Sequence, residues 1–364
     1  HKKPSGVWIM AYTTIDDPSA FFQTMLHAED DTAFTFDGNS DLQPDWIWFK
    51  NRDENNYHHH MIDSVRGVSK LLRVSANIAE FTSADSITAI GSNGFTTGAD
   101  NNGYVSSGTD KQVSWCWKAG TSFTNDASST SVGTIDSTGS VNTDAGFSII
   151  SYTGTGSVGT IAHGLGAVPS MYILKRRAGD TENWPIYHKS VGNTHALYLN
   201  TTDAIYDYAN FTNDTSPTSS VFTVGGSNNQ ANPDGSTMIA YCFAEKQGYS
   251  KFGSYTGNGN ADGTFVYTGF KPAFVLIKKS NSNGTSWIIF DNKRLGYNGS
   301  NYTLAPDNAN DEATGDNGSI DLLSNGFKCR DTDSGANASG DTYIYMAFAE
   351  SPFVTSTGVP ATAR

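Results

Sequence analysis

The chain reads as all-β: three tandem antiparallel β-sandwich (jelly-roll-like) repeats of about 100 residues, a common size for one sandwich. Three observations carry this. Aromatic and β-branched residues come in short bursts between clusters of Gly, Asn, Asp and Ser, the pattern of strands and turns. Charged residues make up only 16% and aromatics 12%, and long runs of Ala, Leu, Glu and Lys are absent, so helix formers do not organise the chain. Finally, a set of landmarks returns three times in the same order, and repeats of this kind decide the architecture.

The first landmark is a proline, a small or acidic residue, four apolar residues and a lysine: PDWIWFK from Pro44, PSMYILK from Pro169 and PAFVLIK from Pro272. A glycine follows in a related setting in DSVRG (Gly67), HKSVG (Gly192) and DNKRLG (Gly296). An aromatic comes next in SNGF (Phe95), SSVF (Phe222) and SNGF (Phe327), and a strand closes each block in SWCWKAG, IAYCFAE and IYMAFAE. The opening strands also correspond, beginning at Phe21, Phe147 and Tyr249, with SYTGTG and SYTGNG nearly identical.

Each landmark has a physical reading. Four consecutive apolar residues are buried on both faces, so WIWF, MYIL and FVLI run through the middle of a sandwich. The proline suits a strand's first position, where no ladder donor is needed. Lys50, Lys175 and Lys278 end the strand by carrying charge out to water. Asn-Gly in SNGF marks a tight hairpin turn with positive φ. The closing strands lack alternation and are central too. Leu71, Leu197 and Leu304 fall at matching places after the glycine landmark.

The boundaries follow. Residues 1–20 are a lead-in, 21–120 the first repeat, 147–246 the second, 247–353 the third and 354–364 a flexible tail. Between the first two repeats, 121–146 is a Ser/Thr/Gly/Asp stretch that reads as a polar linker or an exposed hairpin. Only Lys246, Gln247 and Gly248 separate the second and third, which are expected to pack as a rigid pair with the first set apart. The N-terminal HKKPSGVWIM has no initiator Met and too short an apolar stretch for a secretory signal, so His1 is either internal to a longer chain or follows a processed start.

A net charge of −13 argues against a nucleic-acid partner, because phosphate neutralisation needs clustered Lys and Arg. No apolar run is long enough to span a bilayer, so no membrane insertion is expected. Cys116, Cys242 and Cys329 lie far apart, match no metal or redox spacing and are expected to be unpaired.

The runs DSVRG, WCWKAG, GFSIISYTGTG, AHGLGAVPSMYILK, YCFAE, GYSKFGSYTGNGNADG, GFKPAFVLIK, SNGFK and YIYMAFAE resemble a repeat family of virion structural, tail-fibre-like proteins. That family occurs in marine podoviruses and related phages of ocean bacteria. The resemblance spans Phe21 to Phe353; the first twenty residues depart from the family's lead-in. It implies a virion protein with no catalytic residues, and fibres of this type imply a homo-oligomer, usually a trimer.

Candidate sites are few. His58, His59 and His60 form the one histidine cluster, but adjacent side chains on an extended segment point to opposite faces, so a solvated loop is expected rather than a metal site. Carboxylates at Asp16-Asp17, Glu29-Asp30-Asp31 and Asp311-Glu312 stand in polar loop-like runs, and neither ADNN (99–102) nor PDNANDE (306–312) makes a Ca²⁺ loop. His163 has no nucleophile motif beside it, and the glycines around Gly154 lack the Lys-Ser/Thr of a phosphate loop. Trp184, Tyr187 and Trp287, recurring in WPIY and WIIF, either stack on sugar rings or belong to the sandwich core, the ordinary place for such aromatics.

The expected function is therefore a non-enzymatic structural protein of a bacteriophage virion: a tail, tail-fibre or head-fibre component for assembly and host-surface adhesion. It would need no catalytic residue, cofactor or metal. Its partners would be other virion proteins, itself, and a host-surface glycan. The competing readings are a carbohydrate-binding module of a secreted or surface protein, and a capsule-degrading tailspike enzyme.

Overall fold

A computed structural model describes residues 11–360 apart from 106–107, 180–181, 227, 295–297, 300 and 315–317. The chain is all-β. Among the described residues, helix is confined to a 3₁₀ turn at Pro18–Ala20 and single turns at Ala127–Thr130 and Ala209–Thr212. Every pair of named strands is antiparallel, as short connections without crossover helices require.

Among the described residues each third of the chain forms one large and one small sheet, the last third adds a separate two-stranded pair, and no sheet is shared between thirds. The first large sheet runs Phe22–His27, Gln112–Trp117, Trp46–Asn51, His60–Asp63, Lys70–Arg73, Phe81–Thr82. The same order returns in the second as Phe147–Thr153, Thr237–Phe243, Met171–Arg176, Pro185–His188, His195–Tyr198, Tyr206–Asp207. In the third it returns as Ser250–Thr256, Thr342–Pro352, Phe270–Lys279, Ile288–Asp291, and a bridge from Ile289 to Leu304 leads on to the pair Tyr302–Thr303 and Ala313–Thr314. The closing strand is thus inserted beside the opening one each time. A strand with neighbours on both edges and buried faces has no reason to alternate, which explains SWCWKAG and its counterparts.

The large sheets are buried on both faces, but by different partners. Ile47 and Phe49 pack toward the first small sheet, and Tyr172 and Leu174 toward the second. The intervening Trp46, Trp48, Met171 and Ile173 point the other way and join Phe274 and Leu276 in one core common to all three segments. Aromatic pairs cross every boundary in that core. Trp46 stacks on Tyr241 at 4.8 Å, Phe22 on Phe348 at 5.5 Å, and Phe243 meets Phe348 edge-on at 6.0 Å.

Several expectations are corrected. The first segment is not set apart, because its Trp-rich face is part of the common core. Residues 121–146 are the hairpin of the two readings: Thr121–Asn125 and Ser137–Asn142 pair with each other and then with Phe147–Thr153, widening the second sheet. Lys50, Lys175 and Lys278 do not reach water; all three are fully buried. Their ammonium groups turn back on the chain, Lys50 to the Asn51 carbonyl at 2.5 Å, Lys175 to that of Glu182 at 2.6 Å and Lys278 to that of Thr285.

Pro44 and Pro169 stand ahead of their strands rather than on them, and Pro272 lies inside one, at a shift in register that spares its missing donor. In SNGF the turn is Ser92–Asn93 and Ser324–Asn325, while Gly94 and Gly326 begin the return strand. A Cβ on either would overlap a carbonyl oxygen of the adjacent strand, Phe34 or Val266, so close approach excludes a side chain. Strand pairing matches Leu72, not Leu71, to Leu197 and Leu304: these three sit opposite Met61, Ile186 and Ile289. Gly296 lies outside the described residues. The described part of the tail bridges Val354 to Pro360, and the Ser356 amide and hydroxyl both bind Asp16.

Candidate functional site

The recurring strand that follows the lysine carries the contacts between segments. In the first segment it ends at Asp63, which accepts a hydrogen bond from the Tyr241 hydroxyl of the second at 2.7 Å. In the third it ends at Asp291, which accepts from the Trp115 indole of the first at 3.0 Å. In the second it ends at His188, whose Nε2 lies 3.2 Å from the Tyr345 carbonyl of the third. First touches second, second touches third, and third touches first.

Two of these boundaries are also pinned by buried charge. Arg66 binds Asp63 at 2.6 Å and Glu80 at 3.0 Å, and Glu80 takes a two-pronged contact from Arg177 of the second segment at 2.8 and 2.9 Å. The third segment repeats this: Arg294 binds Asp291 at 2.6 Å and Glu312 at 3.0 Å, and Glu312 pairs with Arg52 of the first at 2.8 Å. Burial alone would raise the carboxyls of Glu80 and Asp291, but their arginines hold both below the ordinary range. Charges so far from water persist only when paired and hydrogen-bonded on several sides, which these are.

The boundary between the second and third segments differs. Backbone bonds from Glu80 to Arg177, from Glu312 to Arg52 and from Ile205 to Ser280 are equivalent, at 2.9, 2.9 and 2.8 Å. Ile205 therefore stands where the others have glutamate, and Ser280 where they have arginine. Val191 replaces the other arginine, at the same three-residue offset from His188 as Arg66 from Asp63.

Beside these residues the boundary has an open cavity of about 420 Å³ lined by Tyr198, Asp203, Tyr206, Asn281, Ser282 and Asn283. Tyr198 and Tyr206 come from adjacent strands, their rings 5.0 Å apart, and Tyr208 continues the row at 5.2 Å from Tyr206. All three rings are only half-buried, unlike the core tyrosines. The two walls are laced together by Ala204 donating to Asn283 Oδ1 at 2.7 Å and Gly284 to the Thr202 carbonyl at 3.0 Å.

The residues singled out from sequence lie elsewhere. Trp184, Tyr187 and Trp287 are buried and present no ring to solvent, so stacking on a sugar is excluded for them. The two tryptophans are pegs between segments: Trp184 donates to the Ala76 carbonyl of the first at 3.1 Å, and Trp287 to the Tyr198 carbonyl of the second at 2.8 Å. Tyr187 stacks on Tyr172 at 4.8 Å inside the second segment.

His59 and His60 are buried and His58 is half-buried, so the cluster is not a solvated loop. His59 Nδ1 accepts from Trp48 at 3.0 Å, and burial drives its pKa well down. His163 is buried between Leu165 and Thr218, Asp100 pins the loop at Val105, and Asp16 holds the tail. Among the described residues no three His, Cys, Asp or Glu side chains converge on a common metal position.

What sequence reasoning missed is the tyrosine row. Its signal was present as YLNTTDAIYDY, three tyrosines amid Asn, Thr and Asp, but the place of that run at a boundary depends on pairing distant in the chain. The model of a family described as a domain of unknown function (DUF7483) matches residues 17–352, nearly the whole chain. No curated protein matches it.

Proposed function

The chain belongs to the DUF7483 family, and from that premise and the closed cycle of segment contacts we propose that it is a structural protein of a bacteriophage virion. In this reading it is a tail, tail-fibre or head-fibre component that presents three jelly-roll-like sandwiches for assembly and host-surface adhesion. The modules are 21–120, 147–246 and 247–353, with the hairpin of 121–146 added to the second. Head-to-tail contacts between similar units generate a ring when the rotation closes, and here three such contacts close within one polypeptide.

The observation that carries the reading is the common core. It fixes three display surfaces relative to one another without linkers, and fixed geometry lets weak contacts add as avidity. The net charge of −13 suits a particle surface that must stay dispersed in salt water. Self-association into a homo-oligomer, a trimer in fibres of this kind, remains part of the proposal for attachment to the particle. The fold itself has no need of it.

Mass spectrometry and immunogold labelling of purified particles test this. Stoichiometric presence on tail or head fibres is expected; a protein found only in infected-cell lysate would contradict it. One observation favours a second reading, a carbohydrate-binding module of a secreted or surface protein: the half-buried tyrosine row at the divergent boundary. The capsule-degrading alternative predicts release of oligosaccharides from host polysaccharide, and we expect none.

A further inference from the structure

We propose that the cavity between the second and third segments binds a saccharide, with Tyr198, at the end of the tyrosine row, stacking on a pyranose ring and Asp203, Ser282 and Asn283 engaging its hydroxyls. The inference starts from the asymmetry of the ring. At the other two boundaries an Arg–Glu–Arg chain crosses at the corresponding positions, whereas Val191, Ile205 and Ser280 take those places here.

The substitution is also constructive. The positions equivalent to Tyr198 and Tyr206 are Arg73 and Phe81 in the first segment, where the guanidinium covers the ring at 5.7 Å. In the third segment they are Ala305 and Ala313. Among the described residues, the second segment alone places two tyrosine rings at these positions, 5.0 Å apart, with Tyr206 between Tyr198 and Tyr208.

The lining matches a sugar in kind. A pyranose has an apolar face of C–H groups and an edge of hydroxyls, so it needs a flat aromatic surface bordered by donors and acceptors. Tyr198, backed by Tyr206 at 5.0 Å, supplies the first. The exposed Asp203 carboxylate and the Asn283 amide, whose oxygen alone is used by Ala204, supply the second. Ser282 Oγ is buried with no hydrogen-bond partner among the described residues, a cost that a ligand hydroxyl would remove. A volume of about 420 Å³ lies within the range of small-molecule sites. A nucleotide or other phosphate fits poorly, because no cationic side chain is among the described residues that line the cavity.

The biological meaning of this site rests on the adhesion reading, but sugar binding is measured on the isolated full chain and particle location on the virion, so either can fail alone. Saturation-transfer NMR with short oligosaccharides of glucose, galactose, mannose and N-acetylglucosamine is the test. Transfer onto ring C–H protons of at least one sugar is expected, with affinity about ten-fold weaker or worse in Tyr198→Ala and Tyr206→Ala. Ser282→Trp fills the cavity while keeping the tyrosines, and should abolish transfer with the melting temperature unchanged. Absence of transfer from every sugar would overturn the proposal, as would undiminished transfer in a folded Ser282→Trp chain.

Discussion

Trp115 donates its indole N–H to Asp291 at 3.0 Å across the boundary between the first and third segments, 176 positions apart in the chain. Tyr241 and Asp63 make the matching contact between the second and first at 2.7 Å. Both aspartates are held from behind by an arginine three residues on, and both arginines reach a glutamate that an arginine of the adjacent segment also holds.

These clusters set a large penalty for removing one member. Arg66→Leu strands Asp63 and weakens the hold on Glu80, and Arg294→Leu does the same to Asp291 and Glu312. Each should cost about 3–5 kcal/mol, read from the urea midpoint. A loss below about 1 kcal/mol would mean that the charges are solvated and the boundary looser than described.

Buried histidines make stability depend on pH. Burial lowers His27 and His60 to about 3, and His163 and His188 to about 4, from an ordinary 6.5. Between those values the unfolded chain binds protons that the folded chain refuses. The contribution is therefore complete above 6.5 and is lost as pH falls toward 4 and then 3, about 2 kcal/mol per histidine by pH 5. The melting temperature should fall steeply between pH 7 and pH 5, above the range where ordinary carboxylates titrate. A flat profile there would show that these rings are open to water.

Ile173 faces the common core, not only its own sandwich. A charge buried there costs several kcal/mol. Ile173→Asp should strip hydrogen-exchange protection from all three large sheets together. Retained protection in the first and third would confine Ile173 to the second.

Much of this architecture was legible in the sequence, and the misses share one cause. The runs WIWF, MYIL and FVLI announced strands buried on both faces, but not that the second face meets other segments; a single sheet-on-sheet sandwich explains the same pattern. The lysines after them look like strand ends reaching water, because the carbonyls that receive them, seven residues on for Lys175 and Lys278, leave no mark in a local window. Burial lowers Lys50 and Lys278 to about 8, a cost that only those fixed carbonyls and nearby carboxylates offset. Trp184 and Trp287 recur because they peg segments together, a role that repetition signals as well as it would a binding site. The tyrosine row was overlooked for the opposite reason: it occurs in one segment only, and a search for repeats passes over what differs.

The central claim is that three similar segments close into one body around a shared core. Differential scanning calorimetry of the full chain tests it most directly. A single endotherm is predicted, with calorimetric and van't Hoff enthalpies in agreement, because no segment can expose its large sheet without opening the core of the other two. Two or three separable transitions, each with the enthalpy of about 100 residues, would contradict it and return the chain to independent beads on a string.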